Sequence, residues 1–304
     1  MGTHLTWSSQ VFEQSGGGAG AVDAIVLTLS CPDQRGIVHA VATFLLVHGC
    51  NITESQQHRE ADTARFFMRV TADREKAEAN IEGLRAAFAA TAATFQMTWY
   101  LGDAQDRPRV LLLGSRSEHC VSDLLFRWRT GWLPVEVIGL VSNHPNLEPL
   151  ASWHGVPFHH LPVAPETKQE QEAAVLDIVE RERVELVVLA RYMQVLSEEL
   201  CRQLNGRVIN IHHSFLPSFK GAAPYRQAHV RGVKLIGATA HYVTPDLDEG
   251  PIIEQDVARA DHRATVEELT ATGRDVESQV LARAVRWHAE RRVLLNGSRT
   301  VVFS

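Results

Sequence analysis

The chain has 304 residues, 45% of them hydrophobic and 22% charged, with a formal net charge of -6. That length exceeds the usual single domain of about 100 to 200 residues, so two domains are expected. The acidic balance gives no electrostatic reason to expect nucleic acid or an anionic membrane as partner, and no run approaches the roughly eighteen apolar residues of a spanning helix.

Residues 1–21 are polar and glycine-rich, without a basic region followed by an apolar run, and read as a flexible lead-in. Ile25 to Ser30 forms an apolar strand that enters the turn cluster Cys31-Pro32-Asp33-Gln34-Arg35-Gly36. A helix over Ile37 to Val47 follows from the stripe Val38, Val41, Ala42, Leu45 and Leu46, and His48-Gly49 stops it, with glycine as the left-handed cap. Asn51 to His58 and Ala64 to Val70 read as strands around a polar hairpin, Arg74 to Ala90 as a helix and Thr94 to Tyr100 as a last strand. The order strand-helix-strand-strand-helix-strand is that of a ferredoxin-like α+β unit, placed at residues 22–102.

A polar link, Gly102 to Pro108, precedes a second domain placed at residues 107–304. Arg109 to Gly114, Pro134 to Val141 and Val184 to Ala190 are nearly continuous apolar runs, the pattern of strands buried on both faces. Helical patterns over Val121 to Thr130 and Thr167 to Arg183 alternate with them, which predicts an open, mostly parallel, Rossmann-like α/β sheet that binds ligand beyond the strands' carboxyl ends. Leu235 to Val243 and Gly250 to Asp256 look like a hairpin-like pair, followed by a long helix over Thr265 to Arg292 and one short terminal strand.

Chemistry concentrates where the run Val208-Ile209-Asn210-Ile211-His212 ends in His213-Ser214-Phe215-Leu216-Pro217. Asn210 and His212 are two apart on a strand, so both side chains leave one face. An amide and an imidazole aimed at one point could polarise a carbonyl and stabilise an oxyanion. Taken alone, the pair reads equally as a buried structural histidine and its neighbour. Cys31, Cys50, Cys120 and Cys201 lack Cys-x-x-Cys spacing, which argues against a zinc ribbon or a disulfide framework and points to a reducing cytoplasm. His212-His213 and His159-His160 are neighbours on strands and point to opposite faces, so no metal site is expected.

Asn210-Ile211-His212, followed by His241-Tyr242-Val243-Thr244 and Leu247-Asp248-Glu249-Gly250-Pro251-Ile252-Ile253, resembles the formyltransferase family that handles N10-formyltetrahydrofolate. Leu186 to Ser197 is similar to that family's strand and loop along the folate pocket. Residues 22–102 resemble an ACT domain, through Pro32 to Val38 and Gly49-Cys50-Asn51-Ile52.

The resemblance implies Asn210, His212 and Asp248 as the catalytic residues. It implies Arg191, Met193, Val195, Leu196, His241, Val243 and Thr244 as the folate contacts. Folate is substrate here, and no permanently bound cofactor is implied. Gly114-Ser115-Arg116-Ser117-Glu118-His119 offers a poor phosphate cradle for a transferase acting on glycinamide ribonucleotide. No basic module follows Arg292, as a transferase acting on initiator tRNA would need. An ACT-like unit ahead of this constellation is similar to the hydrolytic members of the family. These release formate and tetrahydrofolate, supplying formate to purine synthesis and balancing the one-carbon pool. A glycinamide ribonucleotide transferase and a non-catalytic folate or amino acid sensor are the alternatives. The ACT resemblance implies an amino acid effector, glycine or methionine first, at Asp33, Arg35, Gly36, Ile37 and Asn51, and a homo-oligomer. The plainer alternative is that Asp33 caps the following helix and Gly36 permits the turn.

Overall fold

A computed structural model describes residues 23–74, 79–216 and 224–304. The expected lead-in and the Pro217 to Ala223 stretch lie outside them. The N-terminal unit runs β1 (Ala24–Pro32), α1 (Ile37–Val47), β2 (Asn51–Glu60), β3 (Arg65–Asp73), α2 (Ile81–Thr94) and β4 (Thr98–Asp103). These strands form an antiparallel sheet in the order β2-β3-β1-β4. Alternate residues of β1, Ile25, Leu27, Leu29 and Cys31, pack on Val41 and Leu45 of α1 and on Leu84 and Phe88 of α2. Gly36 takes φ 96° before α1, a conformation only glycine adopts without strain. Asp33 does not cap α1: its carboxylate accepts from Arg59 Nε at 2.6 Å, and α1 has no side-chain cap.

The second unit runs β5 (Arg109–Gly114), α3 (His119–Arg129), β6 (Glu136–Ser142), α4 (Glu148–His154), β7 (Phe158–His160), α5 (Lys168–Arg181), β8 (Leu186–Ala190), α6 (Glu198–Gln203), β9 (Val208–His212), α7 (Pro224–Arg231), β10 (Leu235–Tyr242), β11 (Ile252–Arg259), α8 (Val266–Ala289), β12 (Val293–Asn296) and β13 (Arg299–Val302). Its seven-stranded sheet has the order β11-β10-β9-β8-β5-β6-β7. The five strands from β9 to β7 are parallel, while β10 and β11 are antiparallel. β5 and β8 are buried on both faces, as their unbroken apolar runs require.

Several boundaries differ from expectation: the helix expected over Arg74 to Ala90 is α2, which begins at Ile81 because Asn80 caps it and runs on to Thr94, so the strand expected over Thr94 to Tyr100 starts only at Thr98. The last helix stops at Ala289 because Arg291 turns left-handed, at φ 56°. The single terminal strand is a hairpin, β12 and β13, turned at Gly297 with φ 62°. The short elements α4, β7, α6 and α7 carry too few residues to show a period.

The two units are clasped. Arg69 on β3, only 5% exposed, donates from Nε and Nη2 to the Glu290 carbonyl just past α8, at 3.2 Å each, and from Nη1 to Glu54 at 2.6 Å. Carbonyls at a helix end have no partner within the helix, and here the other unit supplies one.

Candidate active site

Two neighbouring strands build the site. β9 and β10 pair so that His241 stands opposite Asn210 and Thr239 opposite His212. Side chains opposite each other share a face, and Asn210 Nδ2 donates to His241 Nε2 at 3.3 Å. His241 Nδ1 lies 2.9 Å from the Tyr242 carbonyl oxygen, which only accepts, so the ring proton is on Nδ1 and Nε2 offers a lone pair. Burial pushes the His241 pKa down, which keeps that ring neutral. Asn210 is thereby fixed: one amide proton goes to His241 and the other remains available.

Asp248 enters from the loop between β10 and β11. Its Oδ1 is 3.2 Å from His212 Nδ1 and 3.8 Å from His241 Nε2. The hydrogen bond from His212 holds the Asp248 carboxyl below its usual value, so Asp248 is an anion near neutral pH. His212 Nε2 is buried with no partner among the described residues. Asp248 itself has φ 59°, a left-handed conformation that aspartate tolerates better than most residues. The loop returns through Gly250, where a Cβ would collide with the Tyr242 carbonyl oxygen.

A cleft with about 50 Å³ of cavity lies beside these groups, lined by Asn210, His241 and Asp248 with Val195, Leu196, Val243 and Thr244. Gln194, Leu247, Pro245, Leu189 and Cys201 complete its wall. Gln194 and Leu247 belong to the motifs already singled out by their sequence, so their neighbours were the available signal. Arg191 and Met193 are not on the wall. Met193 is 63% exposed, and the Arg191 guanidinium turns to Glu277, with Nε 3.4 Å from Oε2, because a buried carboxylate needs a cation. Arg191 and Met193 both have left-handed φ angles, 62° and 58°. Such backbone strain in non-glycine residues collects at functional loops.

His213 also departs from expectation. β9 ends at His212, so strict alternation lapses, and the His212 and His213 rings stack with centroids 4.9 Å apart and planes at 20°. Burial, then Arg191 and His212, lower the His213 pKa to about 4.

Behind the histidines, Glu277 of α8, 1% exposed, takes His119 Nε2 at 2.8 Å and the Tyr225 hydroxyl at 2.5 Å. Burial alone would raise the Glu277 carboxyl, but His119, Arg191 and Tyr225 together hold it below its usual value. Sequence reasoning missed this hub. Its signal was a glutamate in the apolar stripe Leu269, Gly273, Val276, Val280, Leu281, where only core residues otherwise stand. His119, Cys120 and Glu277 place ligand atoms within 4.8 Å of one another. Arg191 occupies one side of that cluster, and burial pushes the Cys120 thiol up, so the donor set suits a protonated network better than a cation.

In the N-terminal unit, Arg35, Gly36 and Asn51 are exposed, Asp33 is engaged by Arg59, and Ile37 is buried in the core.

Comparison with known proteins agrees with this architecture. Residues 108–285 match the formyl transferase family and residues 23–99 the ACT domain. The formyltetrahydrofolate deformylase of Corynebacterium sp. (strain P-1) is 52% identical over 277 residues, covering 91% of this chain and 97% of that protein. The chain belongs to the formyltetrahydrofolate deformylase family. A crystal structure of the formyltetrahydrofolate deformylase from Burkholderia mallei ATCC 23344 superposes with a TM-score of 0.89 at 54% identity, over 93% of this chain and 100% of that one. Glycinamide ribonucleotide transformylase 1 from Symbiobacterium toebii, 31% identical with a TM-score of 0.61, covers 67% of this chain and 97% of its own. The deformylase family thus shares its second domain with the transformylases and adds the ACT unit in front. Among the described residues no helix is long and apolar enough to cross a membrane.

Proposed function

We propose that this chain hydrolyses N10-formyltetrahydrofolate to formate and tetrahydrofolate. The observation that carries the reading is Asn210 and Asp248 on the wall of one cleft, with a free amide proton and an anionic carboxylate, and His212 beside them, its Nδ1 on Asp248 and its buried Nε2 without a partner among the described residues.

The formyl oxygen binds between the Asn210 amide and His212 Nε2, while His212 Nδ1 meets Asp248. Water, ordered by Asp248, attacks the formyl carbon and gives its proton to that carboxylate. Negative charge develops on the oxygen, where each preorganised donor contributes about 3 to 4 kcal/mol. The carbon–nitrogen bond then breaks with its electron pair going to N10, and Asp248 returns the proton there. Formate leaves as the second product.

Val195, Leu196, Val243 and Thr244 form the folate wall with His241. Arg191 and Met193 shape its loop from behind rather than lining it. We assign no metal and no resident cofactor to this chemistry, since Asp248 takes and returns the proton and Asn210 and His212 stabilise the oxyanion. A cytoplasmic location is consistent with four buried free cysteines, and formate released there would feed purine synthesis and balance the one-carbon pool. A homo-oligomer remains our expectation for an ACT-bearing chain, and that unit suggests a small-molecule effector.

Formate release is measured with and without glycinamide ribonucleotide, for the parent and Asp248→Asn. Release without acceptor, abolished in the variant, supports hydrolysis. Turnover only with glycinamide ribonucleotide makes the chain a transferase, and no turnover in either makes it a sensor.

A further inference from the structure

Helix α5 buries Gln171, Glu172, Val175, Ile178 and Val179, a single stripe at helical spacing. Val175, Ile178 and Val179 pack in the core, as such a stripe requires. The first turn instead inserts an amide and a carboxylate, each residue only 7% exposed. Buried polar groups persist where they have partners, and the hydrolytic chemistry uses neither of these two.

Both reach the same segment. Gln171 Nε2 donates to the Tyr192 hydroxyl at 2.6 Å, and Glu172 Oε1 accepts from the Ser197 backbone N–H at 2.8 Å. Lys168, one turn earlier, brings its ammonium to 4.0 Å from the same Glu172 oxygen. Between Tyr192 and Ser197 stands an arch made of Met193, Gln194, Val195 and Leu196, and the last three of these line the cleft at Asn210 and Asp248. The two feet of the arch therefore rest on adjacent residues of one helix.

The arch needs such feet. Tyr192 is flanked by Arg191 and Met193, both left-handed, and a non-glycine residue keeps that conformation only where its surroundings fix it. Met193 and Val195 are largely exposed, so the arch restrains itself little. One foot is the Tyr192 side chain, 2% exposed and held by Gln171. The other is Ser197, which caps α6 by accepting from the Leu200 N–H at 3.2 Å. In a capping box a glutamate three residues on would take the N–H of the cap. Here that position is the apolar Leu200, and Glu172 fills the role from another helix.

We propose that Gln171 and Glu172 are positioning residues for the folate wall, fixing how the arch stands over the cleft and so the affinity for folate. The inference rests on the reading of that cleft as the folate site. Because their partners lie on the arch and not on Asn210, His212 or Asp248, their loss is felt in binding rather than in the chemical step.

The test compares the full chain with Gln171→Met, Glu172→Ala and Glu172→Gln by fluorescence titration with tetrahydrofolate, steady-state formate release and denaturant unfolding. Gln171→Met keeps the length without the donor, and Glu172→Gln keeps an acceptor for Ser197. Expected are a Kd and a KM about tenfold higher in Gln171→Met and Glu172→Ala, with kcat within about twofold of the parent. Glu172→Gln should recover most of the affinity. Lower stability with an unchanged Kd, equal losses in kcat and affinity, or no recovery in Glu172→Gln would overturn the proposal. The double variant Gln171→Met with Tyr192→Phe separates positioning from folding. It removes both hydrogen-bonding partners, so stability should return toward the parent, while the raised Kd persists. A Kd that returns together with stability assigns the pair to packing alone. A parent that binds tetrahydrofolate without releasing formate defeats the hydrolase reading and leaves this one standing, whereas a parent that does not bind it overturns both.

Discussion

Asn210 and His241 stand opposite each other on adjacent antiparallel strands, and the histidine, not the asparagine, decides which way the amide points. With Nδ1–H committed to the Tyr242 carbonyl, Nε2 can only accept, so Asn210 must present Nδ2 to it and keep one proton for substrate.

Replacing His241 by phenylalanine removes that constraint while keeping a ring of similar size. Turnover is expected to fall about a hundredfold, since misplacing a catalytic group by about 1 Å costs that much. KM should rise by much less than kcat falls, since a phenylalanine ring still fills the place of His241 in the folate wall. An equal loss in kcat and folate affinity would make His241 a binding residue instead, and steady-state kinetics separate the two.

Asp248→Asn keeps the shape and tolerates the left-handed backbone, so it should fold. Loss of the proton acceptor should lower kcat by roughly 10²- to 10⁴-fold. The pH dependence of stability follows from the same carboxylate. Its native pKa lies below the unfolded value of about 3.9, so its contribution is full above that pH and disappears as pH falls through the native value. Acid titration followed by fluorescence should show the parent losing more stability than Asp248→Asn in that window.

Glu277→Ala leaves the Arg191 guanidinium buried without a counter-charge. Removing one partner of such a pair typically costs about 3 to 5 kcal/mol. Denaturant unfolding should report that loss, with Glu277→Gln nearer the parent because it still accepts from Tyr225. Equal stability of all three would show that solvent reaches Arg191.

Gly250→Ala tests the closeness of the loop to β10. A methyl group there cannot coexist with the Tyr242 carbonyl, so the loop must move and carry Asp248 with it. Turnover should drop at least tenfold. Unchanged kinetics would mean that the loop re-forms elsewhere.

Long elements were legible because their periods are: the double-buried runs of β5 and β8 and the spacing that puts Asn210 and His212 on one face, whereas the α1 helix was found but its stripe only in part, since Val38 and Leu46 are exposed and Ile37 and Phe44 join Val41 and Leu45 in the core. Asp248 was legible only through its motif, since a turn aspartate has no signal of its own. The fate of Arg191 was not legible, because its partner Glu277 lies 86 residues away on a different element and long-range pairing of buried charges leaves no local pattern. His213 failed for a related reason: alternation holds only while the strand lasts, and nothing in the residues themselves fixes the strand's last position.

The clasp through Arg69 bears on how the molecule comes apart. A helix of 24 residues that ends against its neighbour's arginine cannot fray at that end without breaking the contact between the units. Local opening of the ACT unit and of α8 should therefore occur together, as one cooperative block, rather than as two domains melting on their own schedules. Cutting the chain at residues 104–107 would not liberate a finished catalytic domain. It would expose the carbonyl that Arg69 now covers and leave the last turn of α8, next to His288, the first part of the sheet domain to exchange with solvent.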